Sequence, residues 1–300
     1  MRLSVAKEIV AVVILCLSAA APISSPAADR GVPLAGSVHV DDIDIAYQVL
    51  GSGDPLVMIM GYGGSMDLWS QKLVRLLSAT HRVLIFDNRG MGRSTSSDRE
   101  YSVPLFAEDT LGLMNALEID KATVLAWSLG TETALELALA YPEKVKELVL
   151  ISGSPGGKEG VQPAPEVARF FTSPSASSFE WGLRLIGLLF PQGWLMQHPF
   201  IWTYFPTNAT MNPAERTMRQ YRAFTSWDGC SSRLGQISSP ALIIAGDKDV
   251  VVPAGNSLLL AEGIRASRLV RFPDGGHGVI YQYPDLITGE IADFLRHTEL

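Results

Sequence analysis

Residues Thr123 to Gly130 constrain this chain more than any other stretch. Thr123-Val124-Leu125-Ala126-Trp127 is a short β-branched and apolar run, the pattern of a buried strand. Ser128 ends it. Helical spacing then starts at once, with Leu129, Ala134, Leu137, Ala138 and Tyr141 recurring until Pro142 stops it. A serine at such a strand-to-helix corner sits in a tight backbone that bulky residues two positions away would obstruct. Those positions hold Ala126 and Gly130. The corner exposes the Ser128 hydroxyl and aims the first N–H groups of the helix at whatever binds there. Taken alone, the pattern also fits a serine capping an ordinary helix, so the rest of the chain must decide.

The rest repeats one rhythm. Ser37 to Leu50 reads as a hairpin, with Val38 and Val40, an Asp41-Asp42 turn, and Ile43, Ile45 and Tyr47 in alternation. Leu56–Met60, His81–Phe86, Val145–Ile151, Ala241–Ala245 and Arg268–Phe272 are further apolar strands, the middle ones continuous enough to be buried on both faces. Helical stretches separate them. One is predicted with Leu68, Trp69, Leu73, Leu76 and Leu77 on one face, one is capped by Ser102 and runs to about Leu117, one lies near Ser257–Gly263, and one closes the chain over Asp285–Arg296. Alternating strands and helices predict a mainly parallel, doubly wound α/β sheet. Residues 153–236 break the rhythm. They are rich in proline and aromatics, carry Trp181, Trp194, Trp202 and Trp227, and contain no convincing strand. We read them as an inserted, mostly helical cap, with most of its tryptophans in core and one or two facing a substrate. The remaining core is then 28–152 and 237–300.

Residues 1–27 read as a secretory signal peptide. Arg2 and Lys7 precede a 13-residue apolar run, Ile9–Ala21, followed by small residues and candidate cleavage sites near Ala21 or Ala27-Ala28. The expected location is therefore periplasmic or secreted. An uncleaved run would instead anchor the N-terminus in the membrane, although it is short for a span. Leu15 before Cys16 is too bulky for a lipoprotein signal. After cleavage only Cys230 remains, which allows no intramolecular disulfide. It is read as structural. A formal charge of −7 and a pI near 5.3, with no basic stripe, exclude a nucleic-acid-binding role. A monomer or weak dimer with no membrane span in the mature form is expected.

In parallel sheets ligands bind beyond the carboxyl ends of the strands. Four glycine-rich or acidic turns fall at such ends: after Met60, at Ser128, after Ala245 and after Phe272. A nucleophilic serine needs a base, and the base needs an acid to hold its tautomer. The order Ser128, Asp249, His277 supplies both. Met60-Gly61-Tyr62-Gly63-Gly64-Ser65, Asp87-Asn88-Arg89-Gly90-Met91-Gly92-Arg93-Ser94, Ala126-Trp127-Ser128-Leu129-Gly130, Gly246-Asp247-Lys248-Asp249 with Pro253, and Gly275-Gly276-His277-Gly278 together resemble the α/β-hydrolase superfamily over nearly all of residues 37–297. The corner is then a nucleophile elbow in A-x-S-x-G form.

The resemblance implies Ser128 as nucleophile, Asp249 as acid and His277 as base, with the backbone N–H groups of Tyr62 and Leu129 as the oxyanion hole. It prefers Asp249 over Asp247, which is left as a turn residue, and it makes the loop carrying Asp87 and Arg89 structural. Where the family usually has histidine before the first loop glycine, this chain has Met60, which puts in question a hydrogen bond that fixes the loop. Tyr62 and Trp127 adjoin the reacting groups and are expected to wall the pocket. Glu132 and Thr131 open the elbow helix, where an acid suits the helix dipole. Both are read as structural, though Glu132 could also face the pocket. The expected activity is hydrolysis of a small, mostly apolar carboxylic ester through an acyl-enzyme, with no metal or cofactor. The alternatives on the same three residues are a lactonase, a carbon–carbon bond hydrolase, and a cofactor-free haloperoxidase or perhydrolase. A non-catalytic ligand-binding protein of this fold is a further alternative.

Overall fold

The computed structural model describes residues 35–172, 178–205 and 212–298. The predicted signal segment, 1–27, lies outside them. The strands are β1 (Ala35–Val40), β2 (Ile43–Leu50), β3 (Asp54–Ile59), β4 (His81–Phe86), β5 (Ala122–Trp127), β6 (Val145–Ile151), β7 (Ala241–Gly246) and β8 (Ser267–Phe272). Among the described residues they form one sheet in the order β1-β2-β4-β3-β5-β6-β7-β8. β1 and β2 are the antiparallel hairpin expected around Asp41-Asp42, and β2 pairs antiparallel with β4. Every other neighbour is parallel.

Helices α1 (Gln71–Ser78), α2 (Val103–Ala116) and α3 (Gly130–Ala140) follow β3, β4 and β5. Between β6 and β7 come α4 (Pro165–Thr172), α5 (Ser178–Leu189), α6 (Gln192–Gln197) and α7 (Ala214–Thr225), with no strand among the described residues there. α8 (Gly255–Gly263) joins β7 to β8, and α9 (Val279–Gln282) and α10 (Pro284–Thr298) close the chain. No helix among the described residues is long and apolar enough to cross a membrane.

The alternation of side chains along the central strands builds two cores, one on each face of the sheet. Val124 and Ala126 of β5, with Leu148 and Leu150 of β6, pack against α2, α3 and α8 through Leu113, Leu137 and Leu260. Leu125 and Trp127, with Val149 and Ile151, pack against α1 and α10 through Leu73, Leu77, Ile287 and Ile291. A third cluster joins α2 to the inserted segment, where Phe106 and Tyr101 meet Ala223 and Phe224 of α7. Arg219 of α7 donates to the Ser97 and Arg99 carbonyls at 2.9 and 2.6 Å, and its guanidinium lies 4.0 Å from the centre of the Tyr101 ring.

One boundary differs from the sequence expectation. The helix expected to include Leu68 and Trp69 begins only at Gln71, because Ser70 caps it: its hydroxyl accepts the Leu73 N–H at 3.4 Å. Leu68 and Trp69 belong to a separate turn upstream. The Ser102 cap forms as predicted, accepting the Leu105 N–H at 3.2 Å.

Candidate active site

Three turns at the carboxyl ends of β5, β7 and β8 bring Ser128, Asp249 and His277 into one hydrogen-bonded chain. Ser128 sits at φ +57°, a left-handed backbone that L residues other than glycine adopt at a cost of about 1–2 kcal/mol. Its neighbours hold it there. The Ser128 N–H donates to the Ile151 carbonyl at 2.9 Å, and the Ser128 carbonyl accepts the Thr131 N–H at 2.9 Å and the Thr131 hydroxyl at 2.7 Å. The small residue two positions on is required by contact: a Cβ at Gly130 would overlap the Ile59 carbonyl oxygen.

The Ser128 Oγ lies 2.8 Å from His277 Nε2, and His277 Nδ1 lies 2.8 Å from Asp249 Oδ2. Asp249 Oδ1 accepts the Val251 and Val252 N–H groups at 2.9 and 2.8 Å. With the carboxylate so oriented, its other oxygen is the acceptor, which assigns the proton to His277 Nδ1 and leaves Nε2 to accept from the serine. All three side chains are buried, at 8%, 6% and 4% exposure for Ser128, Asp249 and His277. Asp247 is elsewhere, accepting from Arg271 Nε at 2.7 Å on the surface. Of the two acids, Asp249 is the one hydrogen-bonded to His277.

The Met60–Ser65 loop runs against Ser128. A Cβ at Gly61 would lie 2.8 Å from Ser128 Cβ, so only glycine lets the loop pass. Among the described residues, neither the Tyr62 nor the Leu129 N–H donates to an acceptor in the chain. Two N–H donors beside a hydrogen-bonded serine could stabilise an oxyanion formed there. The Tyr62 ring meets Phe171 and Tyr221 of the inserted segment edge-on, at 5.7 and 5.8 Å, and its partial burial pushes the phenol above its ordinary range.

Trp127 is buried beside the imidazole. β5 directs its ring to the α1 and α10 face, where it packs against Trp69 and Tyr281. Its indole N–H donates to the His277 carbonyl at 3.0 Å, and the two rings lie 5.4 Å apart. Trp127 therefore braces the turn that carries the imidazole. The inserted segment braces it too, since Gly278 N–H donates to the Leu189 carbonyl at the end of α5, at 2.7 Å.

Asp87 and Arg89 stand apart from the serine chain. Asp87 accepts the Met66 and Arg93 N–H groups at 2.6 and 2.8 Å. Arg89 forks onto Asp109 with Nε at 2.8 Å and Nη2 at 2.6 Å, and its Nη1 lies 2.7 Å from Asp42. Cys230 is buried, and burial pushes its thiol up to about 12.

Glu132 is buried on α3 with one carboxyl oxygen lacking a partner among the described residues. Burial raises it well above the ordinary carboxylate range. In the unfolded chain the group deprotonates near 4.3, whereas the folded chain retains the proton. Stability should therefore decline as pH rises above about 4.3, until the folded group ionises as well. Glu132→Gln removes this dependence. In urea unfolding, the variant should gain on wild type between pH 4.5 and pH 8. An equal difference at both values would refute the assignment.

The family model described as the alpha/beta hydrolase fold matches residues 54–284. The chain belongs to the α/β-hydrolase fold family. It is 29% identical over 265 residues to the proposed carbamate hydrolase RutD of Azorhizobium caulinodans, covering 85% of this chain and 96% of that one. It is 28% identical over 279 residues to 2-hydroxy-6-oxononadienedioate/2-hydroxy-6-oxononatrienedioate hydrolase 1 of Pseudomonas putida, covering 85% and 93%. Among solved structures, a thermophilic esterase from Thermogutta terrifontis superimposes with a TM-score of 0.76 at 21% identity, over 89% of this chain and 99% of that one. At that identity the likeness speaks to fold alone.

Proposed function

We propose that this hydrolase cleaves small, mostly apolar carboxylic esters through an acyl-enzyme on Ser128. The unbroken chain Ser128 Oγ, His277 Nε2, His277 Nδ1, Asp249 Oδ2, with both links at 2.8 Å, carries this reading. His277 Nε2 takes the Ser128 proton as Oγ adds to the substrate carbonyl. Asp249 holds the Nδ1–H tautomer and stabilises the imidazolium. The oxyanion is received by the Tyr62 and Leu129 N–H groups, each worth about 3 kcal/mol in the transition state. His277 then returns the proton to the departing alkoxide, leaving the acyl group on Oγ. A water deprotonated by the same nitrogen releases the acid.

The similarity to RutD supports a second reading, in which the same serine attacks a carbamate carbonyl. Both are tested with p-nitrophenyl esters from acetate to long acyl chains, run beside a p-nitrophenyl carbamate. Ester turnover with a short- or medium-chain optimum is expected. Turnover of the carbamate alone would replace the first reading by the second, and inertness to both would refute both.

We further propose that residues 153–236 form a cap over this site, that residues 1–27 direct export, and that the mature protein is a monomer or weak dimer. The lack of strands among the described residues between β6 and β7 supports the first of these.

A further inference from the structure

Gly61 to Ser65 is the least regular part of the site. Its internal hydrogen bond, from Gly64 N–H to the Gly61 carbonyl, is long at 3.4 Å, and the Met60 thioether is a weak partner. The loop is held from outside. From the core, Asn88 Nδ2–H donates to the Met60 carbonyl at 2.9 Å. From the inserted segment, Gln220 Oε1 accepts the Gly63 N–H at 2.7 Å and Asn212 Nδ2–H donates to the Gly63 carbonyl at 2.7 Å. Asn212 is itself fixed, its Oδ1 accepting the Gly92 N–H at 2.6 Å.

Both peptide groups of Gly63 are therefore clamped by side chains about 150 positions away in sequence. The peptide that carries the Tyr62 N–H lies between the plane held at the Met60 carbonyl by Asn88 and the plane held at the Gly63 N–H by Gln220, so these two anchors together limit where that N–H can point. The Gln220 amide can face only one way, because the Gly63 N–H demands an oxygen. Its Nε2 then has no partner among the described residues, although the residue is fully buried. A buried amide that accepts one bond and leaves its own donors unmet contributes little to stability. What it does accomplish is to place the loop. α7 can bear that load, since Arg219 ties it to the Ser97 and Arg99 carbonyls and Tyr221 packs on Tyr62.

We infer that Gln220 and Asn212 are positioning residues that aim the Tyr62 N–H from the inserted segment. The inference rests on the serine-hydrolase reading. It makes the oxyanion donor conditional on the seating of α7 and its lead-in.

Gln220→Met keeps side-chain length and removes the acceptor. On the ester that wild type prefers, kcat should fall about 10- to 100-fold, less than the 10²- to 10³-fold loss on deleting a donor. KM should stay within about threefold, because the oxyanion exists only beyond the ground state. Amide exchange in 60–65 should quicken about 10-fold or more while 123–140 keeps its protection. Asn212→Ala should act in the same direction and serves as the second test if Gln220→Met does not fold. If wild type is active and the folded variants hold kcat within about twofold, the inference is overturned and the hydrolase reading stands. A fall in kcat with unchanged exchange in 60–65 overturns it as well. If wild type neither hydrolyses an ester nor reacts with a fluorophosphonate, the hydrolase reading falls and the inference falls with it.

Discussion

Under the proposed acyl-enzyme reaction, Ser128→Ala should lower kcat on the preferred ester by about 10⁵- to 10⁶-fold, as expected when the nucleophile of a coupled serine–histidine pair is removed. The protein should remain folded. Alanine meets the same left-handed backbone at φ +57° that serine does, and the bonds that hold the corner run through the main chain and Thr131. The stability change should be about 1 kcal/mol, the worth of the hydrogen bond to His277. Initial rates with high enzyme concentration, beside a thermal melt, measure both quantities. Residual activity above about 1% of wild type would mean that the attacking oxygen is not that of Ser128. A variant that fails to fold would show that the serine side chain, and not its neighbours, holds the corner.

Arg89→Met should destabilise the protein by about 3–5 kcal/mol, the typical result of removing one partner from a buried ion pair. Arg89 is fully buried, and its fork satisfies both oxygens of Asp109, while its third nitrogen reaches Asp42 and Ser97. Without it Asp109 keeps its burial and loses its partner. The paired variant Arg89→Met with Asp109→Leu should recover much of the loss, because the desolvation penalty goes with the carboxylate. Urea denaturation of the three proteins tests this directly. A single variant within about 1 kcal/mol of wild type would show that the pair is not the support its geometry describes.

The two predictions rest on residues of different legibility. The eight strands of the described residues could be read in advance for two reasons: the central parallel ones, apolar on both faces, appear as unbroken runs, and the β1–β2 hairpin shows alternation around Asp41-Asp42. Ser128, Asp249 and His277 could be read because each ends a strand in a turn rich in small or acidic residues, and strand order fixes which turns converge. The start of α1 was obscured by the apolar Leu68 and Trp69, which imitate a helical face upstream of the Ser70 cap. Trp127 was readable as a neighbour of the serine, but its bond to the His277 carbonyl spans 150 positions and has no local signature. Gln220 and Asn212 offered still less, being polar residues in a segment without strand rhythm. Their importance arises only when the chain folds Gly63 between them. The orphaned carboxyl oxygen of Glu132 was equally hidden, since an acid in a first helical turn looks like an ordinary response to the dipole.

The bracing of His277 by Trp127 has an optical consequence. An indole 5.4 Å from an imidazole, tilted by 31° and tethered to the same turn, is within reach of any charge that arrives on that ring. Its emission should respond when the imidazole gains a proton or when the turn shifts. With the other five tryptophans replaced, the protein would carry one fluorescent gauge, positioned on that imidazole and readable in the absence of any substrate.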